Sequence, residues 1–284
     1  MMNYGKIIIM KKSWLYNKTV VITGASGGLG FSIAKRLILE YNCKIIGIAR
    51  NEAKILKSIE SLGEKKCNFS YRLFDVADKE NWLSFYNYLL ENNIEIDMLI
   101  NNAGFMLPFS TFDKYTDKEI EEIIYTNFIS NVVSTKTLLP LLKKSSTPAI
   151  VNISSAAGLC AVVGQSMYCA TKFAVKGFTE TLQQEYKNKI YVGGVYPGFI
   201  KTDILNRQSE KAKKNKLINK MMMPVEKASK KIVKSIKRKN KRLVIGFDGK
   251  SMGFFGRIMP KLTPSIVTNV LKASKLDMFN DVFN

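Results

Sequence analysis

The 284-residue sequence contains no histidine. Histidine is the one side chain whose ordinary pKa lies near neutrality. Its absence removes every Ser-His-Asp, Cys-His and His-metal mechanism, so proton transfer at pH 7 has to come from other groups. Cysteine is scarce too. The four, at 43, 67, 160 and 169, form no Cys-x-x-Cys pair. Without histidine to complete a ligand set, a metal centre is not expected. They read as reduced thiols; Cys169, although adjacent to Tyr168, is read as packing rather than as a reactive group. No apolar run reaches membrane-spanning length. The start, MMNYGKIIIMKKSW, has only four consecutive apolar residues, Ile7 to Met10, too few for a signal peptide. Residues 1–12 are expected to be a disordered tail outside the fold, and the protein to be cytoplasmic, with a peripheral membrane association open.

Acidic residues are also few: 23 Asp/Glu face 44 Lys/Arg, a formal charge of +21. The imbalance is concentrated between Lys201 and Arg242, which hold 16 Lys/Arg and three Asp/Glu. Solvated helix faces account for such a run most simply. An anionic membrane or an acidic partner remains open. Nucleic acid is not expected, because no recognised nucleic-acid module accompanies the charge.

What is present is a regular alternation. Short β-branched runs (TVVIT 19–23, KIIGIA 44–49, NFSYRLFDV 68–76, IDMLINNAG 96–104, PAIVNISS 148–155, IYVGGVYPG 190–198, KRLVIG 241–246) alternate with helical patterns at 29–41, 52–62, 79–92, 117–125, 126–144 and 166–186. Such alternation predicts parallel strands joined by right-handed crossovers. Nearly wholly apolar strands predict a sheet covered on both faces. The expected fold is α/β: a Rossmann-type doubly wound parallel sheet of about seven strands. One domain is expected over 13–250, with a substrate-covering segment at about 199–223 and an apolar, basic C-terminal extension at 251–284. Ligands of such sheets bind beyond the strand carboxyl ends.

The candidate functional residues fall at those ends. TGASGGLG (23–30) follows the first strand and opens the first helix. Gly24, Gly28 and Gly30 let the backbone turn sharply and approach a pyrophosphate, which the helix N-terminus attracts. The second strand ends in IARN, with Arg50 where an acidic residue would select NAD. A guanidinium there suits a ribose 2′-phosphate, and Ser26 can add a hydroxyl, so NADP(H) is expected over NAD(H). In YCATK (168–172), Tyr168 and Lys172 lie one helical turn apart on one face. A nearby ammonium favours the phenolate, which answers how this chain moves a proton without histidine.

Taken together, TGASGGLG, DV (75–76), NNAG (101–104), TN (126–127), ISS (153–155), YCATK and YPGFIKTD (196–203) resemble the short-chain dehydrogenase/reductase family in content and order. The likeness is close over about 19–200. It implies a catalytic tetrad of Asn127, Ser155, Tyr168 and Lys172. It implies that Gly24, Gly28 and Gly30 line the cofactor pyrophosphate, with Ser26 and Leu29 of the same turn also counted as cofactor-binding, and that Asp75 and Val76 flank the adenine. Asn101, Ala103 and Gly104 are placed on the adenosine side, Tyr168 and Lys172 at the nicotinamide ribose, and Pro197, Gly198, Ile200 and Thr202 near the nicotinamide. It further implies a homodimer or homotetramer built through the helices at 117–144 and 166–186.

The substrate is less legible. The covering segment ends in MMM (221–223), and MGFFGRIMPKLTPSIVTNVL (252–271) mixes aromatic, aliphatic and basic residues. Both suit an adaptable apolar pocket, while the second could equally lie on a membrane surface or form a dimer contact. The expected function is NADPH-dependent reduction of a ketone on a bulky apolar compound such as a steroid, fatty acyl derivative or other lipid. A 3-oxoacyl-thioester reductase drawing on an acidic carrier is the alternative within the enzyme class. A non-catalytic dinucleotide sensor is the alternative outside it.

Overall fold

The computed structural model describes residues 13–202, 222–274 and 276–283. The expected tail at 1–12 and most of the covering segment lie outside the described residues.

A seven-stranded parallel sheet forms the centre, in the order β3-β2-β1-β4-β5-β6-β9. These strands are β1 (Thr19–Thr23), β2 (Lys44–Ala49), β3 (Phe69–Leu73), β4 (Met98–Asn101), β5 (Ala149–Ile153), β6 (Tyr191–Pro197) and β9 (Arg242–Ile245). Strand order reverses between β1 and β4, which opens a crevice at their carboxyl ends. Two further short strands, β7 (Ile200–Lys201) and β8 (Met223–Pro224), pair with each other beside that edge.

Alternation along the strands distributes the core. In β1, Val20 and Ile22 face one side and Val21 the other. Val20 and Ile22 meet Ile33 and Leu37 of α1 (Gly28–Tyr41) and Ile232 and Ile236 of α7 (Val225–Lys237). Val21 packs with Trp82 and Phe85 of α3 (Lys79–Glu91), Leu138 of α5 (Ser130–Leu142) and Leu182 of α6 (Ser166–Glu185). The helices start on side-chain caps: Asn51 for α2 (Glu52–Glu60), Asp78 for α3, and a Thr116–Glu119 capping box for α4 (Asp117–Ile124).

The strand near 68–76 is shorter than its apolar pattern suggested, because Phe74 to Asp78 turns toward α3. No helix begins at 126. Tyr125–Ile129 is instead a π turn joining α4 to α5 without a break. The basic run hides α7, whose Ala228, Ile232, Val233 and Ile236 are buried while Lys227, Lys230, Lys231 and Lys234 face out. Part of that charge thus lies on the solvated face of α7. Past the sheet, α8 (Phe247–Ile258) spans the boundary expected at residue 250, followed by α9 (Thr263–Ala273) and α10 (Asn280–Phe283). Among the described residues no helix is long and apolar enough to cross a membrane.

Candidate active site

The glycine turn leaves β1 with Gly24 at φ +66° and Gly28 at φ +52°, left-handed conformations that favour glycine. The end of β4 clamps this turn. Thr23 Oγ1 accepts the backbone N–H groups of Asn102 and Ala103, each at 2.9 Å. Asn102 Nδ2 donates to the carbonyls of Thr23 at 2.9 Å and Gly24 at 3.3 Å. Asn102 sits between the expected Asn101 and Ala103, and its amide within NNAG was the available signal. A Cβ on Gly30 would overlap the Gly24 carbonyl and stand 2.6 Å from Asn102 Nδ2. Gly30→Ala should therefore cost roughly 1–3 kcal/mol through overpacking and weaken dinucleotide binding. Thermal melts and a cofactor titration check this, and a variant that melts and binds like wild type would contradict it.

The turn fits a pyrophosphate. A Cβ on Gly28 would meet nothing closer among described residues than the Thr202 side chain, at 3.5 Å. The first turn of α1 carries no acidic residue to repel an anion. Lys54 Nζ stands 3.5 Å from where a Gly27 Cβ would be. Helix N-terminus and cation thus converge where phosphates would lie. Leu29 turns its side chain into the core and leaves its backbone to the turn.

Arg50 and Asp75 stand side by side at the ends of β2 and β3, with Arg50 Nη1 3.3 Å from Asp75 Oδ2. Both are largely exposed, so the pair is weak and can exchange for a ligand phosphate. The Ser26 carbonyl accepts from Ser58 Oγ at 2.9 Å. Val76 is buried, and its carbonyl accepts from Trp82 Nε1 at 2.9 Å. The Asn101 side chain turns inward rather than to the crevice. It donates to Asn152 Oδ1 at 2.9 Å and accepts from Ser134 Oγ at 2.7 Å.

Beyond β5 and β4 the four expected catalytic side chains gather. Tyr168 and Lys172 occupy one face of α6, both buried, with Lys172 Nζ 5.6 Å from the Tyr168 ring centre. Ser155 lies two residues beyond β5 and faces the Tyr168 phenol, where its side chain favours the ionised form. Ser155 Oγ also accepts the Ala157 N–H at 3.1 Å, so it caps the following turn as well. Lys172 Nζ donates to the Ile153 carbonyl at 3.3 Å. Asn127 lies in the π turn, a departure common at functional sites. Its side chain grips Phe105, accepting from N–H and donating to C=O, both at 2.9 Å. Gly104 permits this convergence: a Cβ there would lie 3.0 Å from Asn127 Oδ1 and 3.2 Å from Lys172 Nζ. Gly158 similarly admits the backbone of Lys172.

Burial, not the lysine, dominates the electrostatics. It pushes the Tyr168 phenol up to about 12, against the Ser155 hydrogen bond, which pulls it down. It pushes Lys172 down to about 8. Desolvation of the phenol thus outweighs the nearby ammonium, which is itself desolvated and directed at the Ile153 carbonyl. Burial also pushes the Cys169 thiol up to about 11, which makes it a poor nucleophile and leaves it a packing group.

An apolar cluster covers Tyr168. Met106, Leu107, Phe109, Ile123 and Ala157 join Met278 and Phe279 from the C-terminal segment. Pro197 and Gly198 close β6 beside α8. The Asp248 carboxylate accepts the Phe199 N–H at 2.7 Å and lies so close that a Cβ on Gly198 would overlap it. Asp248 was not anticipated, since nothing local in the sequence links it to Gly198. Ile200 is buried in β7, and Thr202 reaches toward Gly28.

The family model for short chain dehydrogenases matches residues 18–213, a span that takes in the glycine turn and all four gathered side chains. The chain belongs to this family. This short-chain dehydrogenase is 34% identical over 254 residues to the proposed oxidoreductase SadH of Mycobacterium tuberculosis, covering 85% of this chain and 91% of the relative. It is 36% identical over 207 residues to the 3-oxoacyl-[acyl-carrier-protein] reductase FabG of Chlamydia muridarum, covering 71% of this chain and 81% of that protein. A short-chain dehydrogenase/reductase from Burkholderia phymatum, solved in complex with NAD, superposes with a TM-score of 0.76 at 18% identity, covering 89% of this chain and 95% of that one. An alcohol dehydrogenase from Thermococcus sibiricus, complexed with 5-hydroxy-NADP, gives 0.68 at 23% identity, covering 80% and 94%. The chain is thus an oxidoreductase of the short-chain dehydrogenase family with its doubly wound fold.

Proposed function

We propose that this short-chain dehydrogenase reduces the ketone of a bulky apolar compound, such as a steroid, a fatty acyl derivative or another lipid, with NADPH. The observation carrying this reading is the gathering of Ser155, Tyr168 and Lys172 beneath the apolar cluster of Met106, Leu107, Phe109, Met278 and Phe279. A bound nicotinamide supplies the hydride. Tyr168, held protonated by burial, keeps a proton ready for the carbonyl oxygen. Ser155 donates a second hydrogen bond to that oxygen as negative charge develops. Lys172, cationic at neutral pH, stabilises the phenolate left behind and restores its proton. Asn127 holds Phe105 and Gly104 in the position that keeps Lys172 in place.

NADP(H) is preferred in this reading because Arg50 and Ser26 border the ribose end and Lys54 stands beside the same turn. Arg50→Ala should raise KM for NADPH about tenfold, the scale of a charge-assisted hydrogen bond, and barely alter KM for NADH. Equal loss with both cofactors would remove Arg50 from the specificity argument. Subunit pairing through the helices around 117–144 and 166–186 is supported by exposed Tyr125 and Phe173 on them.

The defining experiment is NADPH oxidation with steroids, acyl thioesters and small aromatic ketones, with NADH in parallel. Turnover of the bulky apolar ketones supports the reading. Turnover confined to acyl thioesters favours the 3-oxoacyl reductase alternative, which the likeness to FabG supports. Tight NADPH binding without turnover of any ketone favours a dinucleotide sensor.

A further inference from the structure

The first two helices after the sheet present an apolar surface that the other described residues leave exposed. Their inner sides are committed. Gly253 and Gly256 bring α8 against Leu159, where Cβ atoms would stand 3.0 Å from Leu159 Cδ1 and 2.8 Å from its carbonyl oxygen. Leu271 of α9 packs on the cluster around Tyr168. On the outer side, Phe254, Ile258, Leu262, Ile266 and Val270 are each more than half exposed. Phe254 and Ile258 lie one turn apart on one face of α8, Ile266 and Val270 one turn apart on one face of α9, and Leu262 sits in the turn between, so the stripe is built from two short apolar faces on consecutive helices. Isolated exposed apolar residues need no explanation, but paired apolar faces on two consecutive helices mark a contact surface.

Charge decides what it contacts. From residue 249 to residue 274 the sequence has Lys250, Arg257, Lys261 and Lys272 and no Asp or Glu. All four cations are exposed. Asp248, the nearest acid, is turned inward onto the Phe199 N–H. A second copy of this chain would set four cations against four across the same stripe. An anionic lipid surface offers the complementary sign to the cations and a hydrocarbon boundary to the stripe, the arrangement of an interfacial amphipathic helix.

We propose that α8 and α9 form an in-plane docking surface that holds the protein on an anionic lipid bilayer. This goes beyond the ketone-reductase reading and does not depend on it. An open groove of about 590 Å³, lined by Leu271, Lys272, Leu276, Phe279 and Phe283 among others, adjoins the surface. Its Phe279 packs edge-on against Phe109 of the cluster around Tyr168, with ring centres 4.8 Å apart. The docking surface thus borders the apolar cluster that contains Tyr168.

The test is co-sedimentation of the purified full chain with phosphatidylglycerol–phosphatidylcholine vesicles and with pure phosphatidylcholine vesicles. Binding to the anionic vesicles alone, reversed by high salt, is expected. A Phe254→Ser/Ile258→Ser/Ile266→Ser/Val270→Ser variant should lose affinity at least about tenfold, given the apolar area withdrawn. A second variant, with Lys250, Arg257, Lys261 and Lys272 changed to Gln, should lose anionic selectivity without touching the stripe; circular dichroism verifies both folds. Absence of wild-type binding to anionic vesicles would overturn the proposal. So would equal binding by a folded stripe variant, or lipid-independent self-association that the stripe variant abolishes.

Discussion

Tyr168→Phe should abolish ketone reduction, by about 10²- to 10⁴-fold in kcat, while leaving dinucleotide affinity and melting temperature near wild type. The substitution removes one oxygen from a ring that is already buried in an apolar cluster, so packing survives. What disappears is the phenolic hydroxyl facing Ser155 and the proton held there by burial. Because the phenol stands near 12, the variant should lose activity across the whole neutral range rather than shift an optimum. The sequence has no histidine to substitute for it. Equal turnover by Tyr168→Phe and wild type would remove Tyr168 from the chemistry. Loss of cofactor binding alongside activity, with the fold intact, would assign Tyr168 to holding the nicotinamide ribose rather than to proton transfer.

Lys172→Met should also be inactive, yet more stable than wild type at pH 7. Burial of the ammonium costs free energy that the 3.3 Å bond to the Ile153 carbonyl offsets only in part. Lys172 falls from an ordinary 10.5 to about 8 on folding. Between those values the unfolded chain binds more protons than the folded one, so this residue's contribution to stability rises with pH. The penalty is complete below pH 8, relieved through the window, and gone above 10.5. Its upper limit is about 3 kcal/mol. Buried Cys43, Cys169 and Tyr168 act in the opposite sense at high pH, because their folded values are raised. Comparing wild type with Lys172→Met cancels groups that do not contact Lys172, and measurements kept at or below pH 10 hold the neighbouring Tyr168 and Cys169 largely protonated. The difference in melting temperature should therefore narrow steadily from pH 8 to 10. A constant difference would mean that Lys172 is solvated in solution.

How much of this was readable in advance follows from the range of each interaction. The seven strands were legible because β-branched runs and helical spacing are local signals. Tyr168 and Lys172 were legible because one helical turn separates them. Arg50 was legible at its strand end, but its pairing with Asp75 was not, since that contact crosses from β2 to β3. Asn102, Asp248 and Gly158 act across 79, 49 and 14 positions of sequence, and nothing local announces their partners. The π turn around Asn127 looked like a boundary between two helices because its spacing breaks the helical period. Helix α8 was concealed by Gly249, Gly253 and Gly256, which lower helix propensity and yet permit the close packing on Leu159 and Gly198. The weight of burial at Tyr168 was hidden for a related reason. Helical spacing places the lysine nearby, but only the folded environment shows that desolvation outweighs it.

The most direct test of the central claim follows the transferred atom. Purified protein is incubated with a bulky apolar ketone and NADPH carrying deuterium at the transferable position, and the product alcohol is analysed by mass spectrometry. Deuterium at the carbinol carbon in wild type, and none above background with Tyr168→Phe, is the result expected of a reductase working through Tyr168. Tight NADPH binding with no labelled alcohol from any ketone in the panel would contradict that account.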